Sequence, residues 1–451
     1  MPRLRVVASY LVLGCAVASS LAFAASSPAR SVQPRWFKGN LHTHSLWSDG
    51  DDYPEMIADW YKRNGYNFLG ISDHNVLQEG PKWHPLKQAV AIKGEVMQRG
   101  AGPVLEKYLQ RFGADWVELK DLQGRKEVRL KPLNEYRSLL EETGRFLMIP
   151  SEEISSSWAR AGAPAGGKGL PVHINITNPR ELVAPETSSN ATETMQRILD
   201  VVARQREKTG QPMFAHINHP NWRWGLTAEE IMKVKGMKFF EVYNGHPGVE
   251  NHGDATRLGM DAMWDIMLAF RLGELNMEVV YGVGVDDSHN YHEIKLGRSN
   301  PGRGWVMVRA RHLTPDSIVL AMEAGDFYAS NGVKLRDVTR AGKRLAVEIE
   351  GEPGVTYTTQ FIGTRIGFDR TSELMNPPAD EMPPRTSLPH RRYRKDVGAV
   401  LKEVKGTSAS YELKGDELYV RAKVISSKPK VNGSVATEME TAWTQPLVNE
   451  Q

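Results

Sequence analysis

Short apolar runs alternate with longer amphipathic stretches between Trp36 and about Asp286. The runs have the length of strands, and the stretches between them have the length and periodicity of helices. Alternation of this kind indicates an α/β fold in which crossover helices join parallel strands. The predicted strands are Trp36 to Leu41, Asn67 to Ile71, Phe146 to Ile149, Val172 to Ile176, Pro212 to Ile217, Phe239 to Val242 and Val279 to Val285.

Helices are predicted between these strands at about Pro54 to Asn64, Asn134 to Thr143, Thr192 to Lys208, Thr227 to Val234 and Arg257 to Leu272. Seven strands suit a barrel that lacks one β/α unit, although the strand order cannot be read from the sequence. The segment from Gln78 to Leu133 is long for a connection, so we predict an insertion with its own helices near the barrel mouth. The stretch from Ala161 to Gly169 is rich in Gly and Ala and predicts a mobile loop, either a linker or a substrate lid.

The pattern changes after Arg336 to short runs in which apolar and polar residues alternate, with Gly and Pro between them. This period of two predicts an antiparallel β-sandwich over residues 336–451. Within it, Asn376 to Asp396 is rich in Pro and Arg and predicts an exposed loop. The sequence therefore indicates a barrel domain over residues 36–330, with an insertion at about 78–133, followed by a sandwich.

The first residues have the pattern of a secretory signal, with a basic start, an apolar run from Val6 to Phe23 and small residues around Ala24. We predict a signal peptide over residues 1–24 and an exported protein, periplasmic or secreted, without a transmembrane span in its mature form. A retained membrane anchor and a lipoprotein attached through Cys15 are the alternatives. Cys15 is the only cysteine, so a mature chain would have no disulfide, thiolate zinc site or cysteine nucleophile.

Composition places the chain among soluble globular proteins of more than one domain, with 451 residues, 40% hydrophobic and 25% charged. The formal net charge is +3, and part of it lies in the leader. This balance gives no indication of nucleic acid or of an anionic membrane surface as a partner. The oligomeric state is left open.

Each predicted strand ends beside side chains that can bind metal. In α/β barrels the carboxyl ends of the strands converge on one face, so residues far apart in sequence can meet there. These residues are His42 and His44, Asp73 and His74, Glu153, His173, His216 and His219, Glu241, and Asp287 and His289.

Two pairs among these residues have a spacing that favours chelation. At positions i and i+2 of an extended chain, His42 and His44 project to the same side and can bind one ion. Asp287 and His289 have the same spacing, so each could face one of two neighbouring ions. The carboxylate of Glu153 is suited to bridging two cations, because each of its oxygens can bind one.

In combination these motifs resemble the PHP superfamily, named for polymerase-associated and histidinol phosphatase domains, over about Trp36 to Tyr328. The motifs are His42-Thr-His44, Ser48-Asp49-Gly50, Ser72-Asp73-His74, Glu153, His173, Asn218-His219-Pro220 and Asp287-Ser-His289. The resemblance implies a distorted (β/α)7 barrel with a trinuclear metal site. It implies that His42, His44, Glu153 and Asp287 hold the first ion, that Glu153, His173 and His219 hold the second, and that Asp49, His74 and His289 surround the third.

Further segments are similar to the exported branch of that superfamily related to carbaryl hydrolase. They are Glu241-Val-Tyr-Asn244, Trp264-Asp265, Gly325-Asp-Phe-Tyr328 and Ala442-Trp-Thr-Gln-Pro446. The chain departs from the family pattern where Ser151 precedes the carboxylates, so either Glu152 or Glu153 could be the ligand, and we choose Glu153. Of His216 and His219, the Asn-His-Pro context favours His219.

The resemblance predicts a hydrolase that uses water activated by two or three divalent ions of Zn, Mn or Fe. Glu153 and Asp287 would hold the ions that activate this water and so act in catalysis. We favour a phosphate ester as substrate, a monoester or a diester, because several cations neutralise a phosphoryl group. The alternatives are a carbamate, ester or amide cleaved at the same site, and a degenerate binding module without activity. Candidate substrate-binding residues are Arg223, Tyr243 and Asn244.

Overall fold

The computed structural model describes residues 32–92, 95–158, 169–375 and 390–449. The predicted signal peptide, nearly all of the loop from Ala161 to Gly169, and residues 376–389 of the predicted C-terminal loop lie outside the described residues. Pro34–Gln451 forms one compact unit. Over the described residues it has a mixed α/β architecture with several sheets and seven helices.

In the first part of this unit the elements on either side of the insertion lie close to their predicted positions, whereas the insertion was predicted with helices and contains mainly strands. In chain order the elements are β1 (Arg35–Asn40), α1 (Pro54–Arg63), β2 (Phe68–Leu69), β3 (Lys82–Pro85), β4 (Gln88–Ile92), β5 (Glu95–Arg99), α2 (Gly102–Phe112), β6 (Leu119–Leu122), β7 (Arg125–Leu130), α3 (Leu133–Leu140), β8 (Leu147–Met148) and β9 (Ser151–Trp158). The insertion is thus mainly strands with one helix, not a helical segment. A two-residue turn at Gln123 and Gly124, both with positive φ, closes the hairpin of β6 and β7.

The middle part follows the predicted alternation as far as β13, and the last three of its elements were not predicted. Its elements are β10 (Leu170–Thr177), α4 (Ala191–Thr209), β11 (Phe214–Ile217), α5 (Ala228–Ile231), β12 (Phe239–Asn244), α6 (Met260–Gly273), β13 (Tyr281–Val285), β14 (Trp305–Ala310), α7 (Pro315–Glu323) and β15 (Phe327–Ser330). Helix α6 is buried along most of its length, including Trp264 and Met263, because neighbouring elements cover it from several sides.

The C-terminal part is made of strands over its described residues. They are β16 (Leu335–Ala341), β17 (Arg344–Ile349), β18 (Tyr357–Arg365), β19 (Ser372–Met375), β20 (His390–Tyr393), β21 (Ala399–Lys405), β22 (Ser408–Glu412), β23 (Glu417–Pro429), β24 (Met439–Thr444) and β25 (Leu447–Val448). Strand β20 lies inside the segment predicted as an exposed loop. It pairs with β19, which precedes that segment, and its first residue, His390, is buried. Apolar residues of β17, such as Leu345 and Val347, share a core with Phe361 of β18.

The candidate residues lie where two sheets come together. One sheet has the order β21-β18-β23-β24-β15-β14-β1-β2-β8, and the other has the order β13-β12-β11-β10-β9. Isolated bridges join the chain beyond β1 to that beyond β13, at Thr43 and Ser288, and join His74 to Glu153 on β9. The closed (β/α)7 barrel and the domain boundary between residues 330 and 336 stay predictions.

Not every strand is parallel as the alternation suggested. Strands β1, β2 and β8 are parallel, as are β11, β12 and β13, but β10 pairs antiparallel with both β9 and β11. Strand β9 was missed because its sequence, Ser-Glu-Glu-Ile-Ser-Ser-Ser-Trp, has little apolar alternation. No helix among the described residues is long and apolar enough to cross a membrane.

Candidate metal centre

The residues that the sequence singled out as ligands meet in one buried cluster. Six imidazoles and three carboxylates reach it from the loops after β1, β2, β11 and β13 and from β9 and β10 themselves. They are His42, His44, Asp49, His74, Glu153, His173, His219, Asp287 and His289, and all nine belong to groups whose ligand atoms lie within 4.8 Å of one another.

Four of these side chains surround a first position. The Nε2 atoms of His42 and His44 lie 3.4 and 3.2 Å from Oε2 of Glu153, and 3.3 and 3.2 Å from Oδ1 of Asp287. Ligand atoms bound tetrahedrally at about 2.1 Å from a metal are about 3.4 Å apart, so this spacing fits an ion. Both Nε2 atoms are buried without a hydrogen-bond partner. Burial of unpaired polar atoms is costly, and a bound cation would satisfy them.

A second position shares Glu153 with the first. Oε1 of Glu153 lies 2.9 Å from Nδ1 of His173 and 3.5 Å from Nε2 of His219, which is also 3.8 Å from Oδ2 of Asp287. Asn218 donates a hydrogen bond of 2.9 Å to the same Oε1. The two oxygens of Glu153 therefore face different groups of imidazoles, which is the arrangement that a bridging carboxylate requires.

A third position lies nearest to solvent. Oδ1 of Asp49 lies 3.3 Å from Nε2 of His289, 3.5 Å from Nε2 of His74 and 3.8 Å from Nδ1 of His44. The Asp49 side chain is 53% exposed and that of His74 26% exposed, whereas the His42 and His44 side chains are fully buried. The cluster therefore opens to solvent on the side of Asp49.

The carboxylates of the cluster are held in their charged form. Burial by itself raises the pKa of Glu153 and of Asp287, but the neighbouring histidines outweigh it and hold both pKa values well below the usual range. Burial also lowers the pKa of His44 to about 4, with a further contribution from the nearby His289 and His74. Burial also acts to lower the pKa values of the other ligand imidazoles, but the carboxylates outweigh it at four of them and raise the pKa; these are His42, His74, His219 and His289. Cations bind the anionic oxygens and the neutral imidazoles, so binding of ions would release the protons of these four rings.

The loop that carries Asp49 is fixed by Asp73. The Asp73 carboxylate accepts hydrogen bonds from the Ser45 backbone N–H at 2.8 Å, from the Ser48 hydroxyl at 2.6 Å and from Gln78 at 2.7 Å. Gly50 is required at the end of this loop, because a Cβ there would lie 2.3 Å from the His44 carbonyl oxygen. Asp73 is thus a structural partner in the Ser72-Asp73-His74 motif, and His74 is the member that reaches the cluster.

Asp287 does not continue strand β13 as the sequence pattern suggested. The strand ends at Val285, and Asp287 adopts the left-handed conformation with φ of 49°, while its N–H donates to the His42 carbonyl oxygen at 2.9 Å. The extended i, i+2 geometry predicted for Asp287 and His289 is therefore wrong. Asp is one of the few residues besides glycine that adopt this conformation as single residues, so the chain can turn here and aim the carboxylate at the cluster.

The structure places the two members of each alternative pair in different surroundings. Glu152 faces away from the cluster, and its Oε1 accepts a hydrogen bond of 2.8 Å from the Val183 N–H. The fully buried Glu153 lies at the centre of the cluster. His216 is also buried, but its Nε2 lies 3.3 Å from Oε1 of Glu241 rather than beside Glu153.

The predicted substrate-binding residues lie in three different places. Tyr243 is buried and stacks on Trp443, so it does not line the cluster. The cause is a β-bulge in β12 between Glu241 and Tyr243, which interrupts the alternation of faces. Asn244 is in the cluster, but it donates to Asp287 at 3.1 Å and to Glu241 at 2.8 Å rather than facing solvent.

Arg223, the third of these residues, is exposed beside the cluster. Its guanidinium lies 4.6 Å from the ring centroid of Trp222. Trp222 in turn packs against His173 and His219, with ring centroids 5.1 and 5.5 Å apart. Arg223 therefore stacks on Trp222 at the rim of the cluster. Among the described residues it makes no direct contact with any of the nine candidate ligands.

No protein-family model and no curated protein matches this sequence. Solved structures that match include a two-domain protein from Bacteroides vulgatus ATCC 8482 that contains a predicted PHP-like metal-dependent phosphoesterase. That protein is 14% identical, the match covers 92% of this chain and 96% of that one, and the TM-score is 0.34. A likeness this distant does not assign a function to this chain. The function proposed below is inferred from the geometry of the cluster.

Two residues that border the cluster were given no role in it from the sequence. Glu241 was noted at a strand end but not given a role, and the structure places it in contact with His42. His246 lies with its ring 5.6 Å from that of His289, and burial lowers its pKa to about 4. Its Nδ1 accepts from the Gly248 N–H at 2.9 Å, so the neutral ring carries its proton on Nε2. The recurrence of histidines after β12 was the available signal.

Proposed function

We propose that this protein is a metal-dependent hydrolase whose site holds two or three divalent cations. The observation that carries the proposal is the position of Glu153. Its two oxygens face separate groups of histidines. Oε2 lies 2.8 to 3.4 Å from nitrogens of His42, His44 and His74, and Oε1 lies 2.9 to 3.5 Å from nitrogens of His173 and His219. Nine ligand-capable side chains within one cluster exceed what a single structural ion needs.

Divalent ions bound there would act as Lewis acids and lower the pKa of a coordinated water, which supplies a nucleophile at neutral pH. In the role proposed for them, Glu153 and Asp287 fix the spacing between the ion positions. They also orient the histidines that lie beside the two carboxylates. His42 and His44 close the buried end of the cluster and exclude water from it. The exposed side at Asp49 and His74 is where a substrate would enter.

A phosphate ester, either a monoester or a diester, is the substrate class that we favour. Three divalent ions carry more positive charge than the carboxylates of Asp49, Glu153 and Asp287 neutralise, so the loaded site would attract an anion. Zn, Mn and Fe all suit a set of imidazole and carboxylate ligands. Arg223, exposed at the rim, could pair with a phosphate oxygen without leaving its place on Trp222.

A carbamate, ester or amide is the second candidate substrate, as in the exported branch related to carbaryl hydrolase. The observation that favours it is the half-buried ring of Trp222, which gives the site an aromatic border beside His173 and His219. Such a border suits the aryl group of a neutral substrate. The export predicted from residues 1–24 remains part of this proposal, because those residues lie outside the described part of the chain.

The experiment is a substrate panel under one set of metal conditions. Purified protein loaded with Zn²⁺, Mn²⁺ or Fe²⁺ is offered p-nitrophenyl phosphate, bis-p-nitrophenyl phosphate and 1-naphthyl N-methylcarbamate. We expect turnover of at least one phosphate ester, abolished by chelation and in His42→Ala. Turnover of the carbamate alone would transfer the proposal to the second candidate. A folded, metal-loaded protein that cleaves none of the three would favour a binding module.

A further inference from the structure

Glu241 is a fully buried carboxylate with all of its contacts at the edge of the metal centre. Oε1 lies 2.6 Å from Nδ1 of His42 and 3.3 Å from Nε2 of His216. Oε2 accepts hydrogen bonds from the backbone N–H of His219 at 2.7 Å and from Nδ2 of Asn244 at 2.8 Å. The same Nδ2 donates to Oδ2 of Asp287 at 3.1 Å.

These contacts reach members of both inner ion positions. His42 and Asp287 belong to the first position and His219 to the second, and each comes from a different part of the chain. His42 directs Nδ1 to Glu241, which leaves Nε2 facing Glu153 and Asp287. A carboxylate that receives the outer N–H of a ligand histidine fixes its tautomer and ring orientation and makes it a stronger ligand.

We propose that Glu241 is a positioning residue for the metal centre, acting through His42 and, with Asn244, through Asp287. The inference rests on the proposed function, because it concerns the same ions. It assigns a role to the Glu241-Val-Tyr-Asn244 segment that the sequence did not supply. The bulge in β12 contributes to this positioning, because it brings Asn244, in place of Tyr243, to the side of Glu241 and Asp287.

The spacing argues against Glu241 as a ligand in its own right, although it forms a group with His42 and His216 that could hold an ion. Two ligand atoms at about 2.1 Å from one cation are about 3.0 Å apart in an octahedral site and about 3.4 Å apart in a tetrahedral one, whereas Oε1 and Nδ1 of His42 are 2.6 Å apart. That distance is a direct hydrogen bond to a charged acceptor. Oε2 is also engaged by two donors, so Glu241 is saturated without a metal.

The test compares Glu241→Gln with Glu417→Gln in metal titrations of the full chain. Glu417 is a matched control, because it is buried in the C-terminal part and accepts from the Tyr411 hydroxyl at 2.6 Å and from the Lys414 N–H at 2.8 Å. Both variants are first checked for cooperative unfolding. Zn²⁺ and Mn²⁺ affinities are then measured by competition with a chelator, and Co²⁺ is added to record its visible absorption.

We expect Glu241→Gln to bind as many ions as the wild type, with about 10- to 100-fold weaker affinity and an altered Co²⁺ spectrum. Glu417→Gln should match the wild type in both readouts. In a His42→Ala background, Glu241→Gln should have a much smaller further effect, because the two residues act as one unit. If Glu241→Gln does not fold, Asn244→Ala, which removes one donor to Glu241 and to Asp287, is titrated in its place, with weaker affinity expected.

Several outcomes would overturn the inference. Wild-type affinity and an unchanged Co²⁺ spectrum in folded Glu241→Gln would show that the carboxylate does not position His42. Loss of one whole ion with the others unaffected would make Glu241 a ligand instead. A wild-type protein that binds no ion at all would overturn the proposed function itself, and these results are distinguishable in the same titration.

Discussion

At the residue scale, adjacent side chains of the same type have different roles. Glu153 lies inside the cluster, whereas Glu152 bonds a backbone N–H on the other side of strand β9. Asp287 reaches the ion positions, whereas Asp286 is saturated by donors that include the backbone N–H groups of Gly302 and Gly304. Alternation of faces along a strand separates the first pair, and a left-handed turn separates the second.

This contrast predicts different effects for two neighbouring substitutions. Glu153→Gln should abolish binding of the inner ions and lower turnover by more than about 100-fold, since it removes a ligand rather than an outer partner. Burial raises the pKa of Glu152 to about 8, so Glu152 is protonated at neutral pH. Gln resembles the protonated side chain, so Glu152→Gln should bind as many ions as the wild type. Metal analysis of the two purified variants checks this. Equal metal content in both would contradict the role given to Glu153.

Glu55, on helix α1, provides a prediction about pH. Burial raises its pKa from 4.5 to about 7, and Oε1 accepts from the Tyr108 hydroxyl at 2.6 Å and from Trp116 at 3.1 Å. The unfolded chain releases this proton near pH 4.5, and the folded chain retains it until near pH 7. The stability due to the protonated carboxyl is therefore fully present below pH 4.5 and is lost as the pH rises through 7.

Glu55→Gln imitates the protonated carboxyl and should remove this dependence. Between pH 5 and pH 8 the wild type should lose about 2 to 3 kcal/mol of unfolding free energy that the variant keeps. Urea unfolding of both proteins at the two pH values, without metal, isolates the effect, because all other titrating groups are shared. Parallel pH profiles for the two proteins would show that Glu55 is ionised in the folded state.

The sequence predicted residues of the site better than their supporting partners. His42, His44 and Glu153 could be recognised because strand ends and spacing point to them. The roles of Glu241 and Asn244 could not, because they depend on a bulge and on contacts between β12, β1 and β13 that no local pattern encodes. Tyr243 was misplaced for the same reason, since the bulge changes which residue faces the cluster.

At the element scale, helix α6 is tied to the C-terminal strand β23 by a buried ion pair. Nε and Nη2 of Arg421 donate to the two oxygens of Asp265 at 2.8 and 2.6 Å, and the Tyr419 hydroxyl donates to the same carboxylate at 2.9 Å. Arg421 is fully buried, so it has no access to water if its partner is lost. The pair therefore joins the two predicted domains through side chains as well as through the sheet.

Asp265→Ala should lower the free energy of unfolding by about 3 to 5 kcal/mol, because it leaves the Arg421 guanidinium buried and only partly compensated by Asp261. The matched control is Asp369→Ala, which removes an exposed carboxylate and should leave the denaturation midpoint close to that of the wild type. Chemical denaturation of both variants measures the difference. Equal midpoints would mean that α6 and β23 are not coupled in this way.

Elements that follow an apolar pattern were predicted to within a few residues, as β10, α4 and β12 show. Strand β9 and the strands of the insertion were not predicted, because many of their residues are polar or charged. Burial of β9 comes from the cluster and from its pairing with β10, which are tertiary features. The antiparallel direction of β10 likewise depends on pairing partners and not on the local sequence.

At the scale of the whole molecule, one sheet runs from the candidate site into the C-terminal part. Strand β15 pairs with β24, and β24 pairs with β23, so the region before residue 330 and the region after 336 share a continuous hydrogen-bonded surface. Trp443 of β24 covers Tyr243 behind the metal cluster. The C-terminal part therefore supports the back of the site in addition to its own core.

A chain that ends after residue 334 should not fold into a stable monomer. Truncation exposes the edge of β15 and leaves Asp265 and Tyr243 without their partners, which favours aggregation over cooperative unfolding. Size-exclusion chromatography and thermal unfolding of the truncated and full chains test this. A monodisperse truncated protein with full metal content would show that the first part is an independent domain.

The central claim is that Glu153 bridges two ion positions, and a metal count on three proteins tests it most directly. Wild type, Glu153→Ala and Glu152→Gln are prepared metal-free, equilibrated with Zn²⁺ and desalted, and the bound metal per chain is measured by mass spectrometry. The account predicts at least two ions in the wild type and in Glu152→Gln, and a loss of both inner ions in folded Glu153→Ala. One ion or none in the wild type, or an unchanged count in Glu153→Ala, would contradict it.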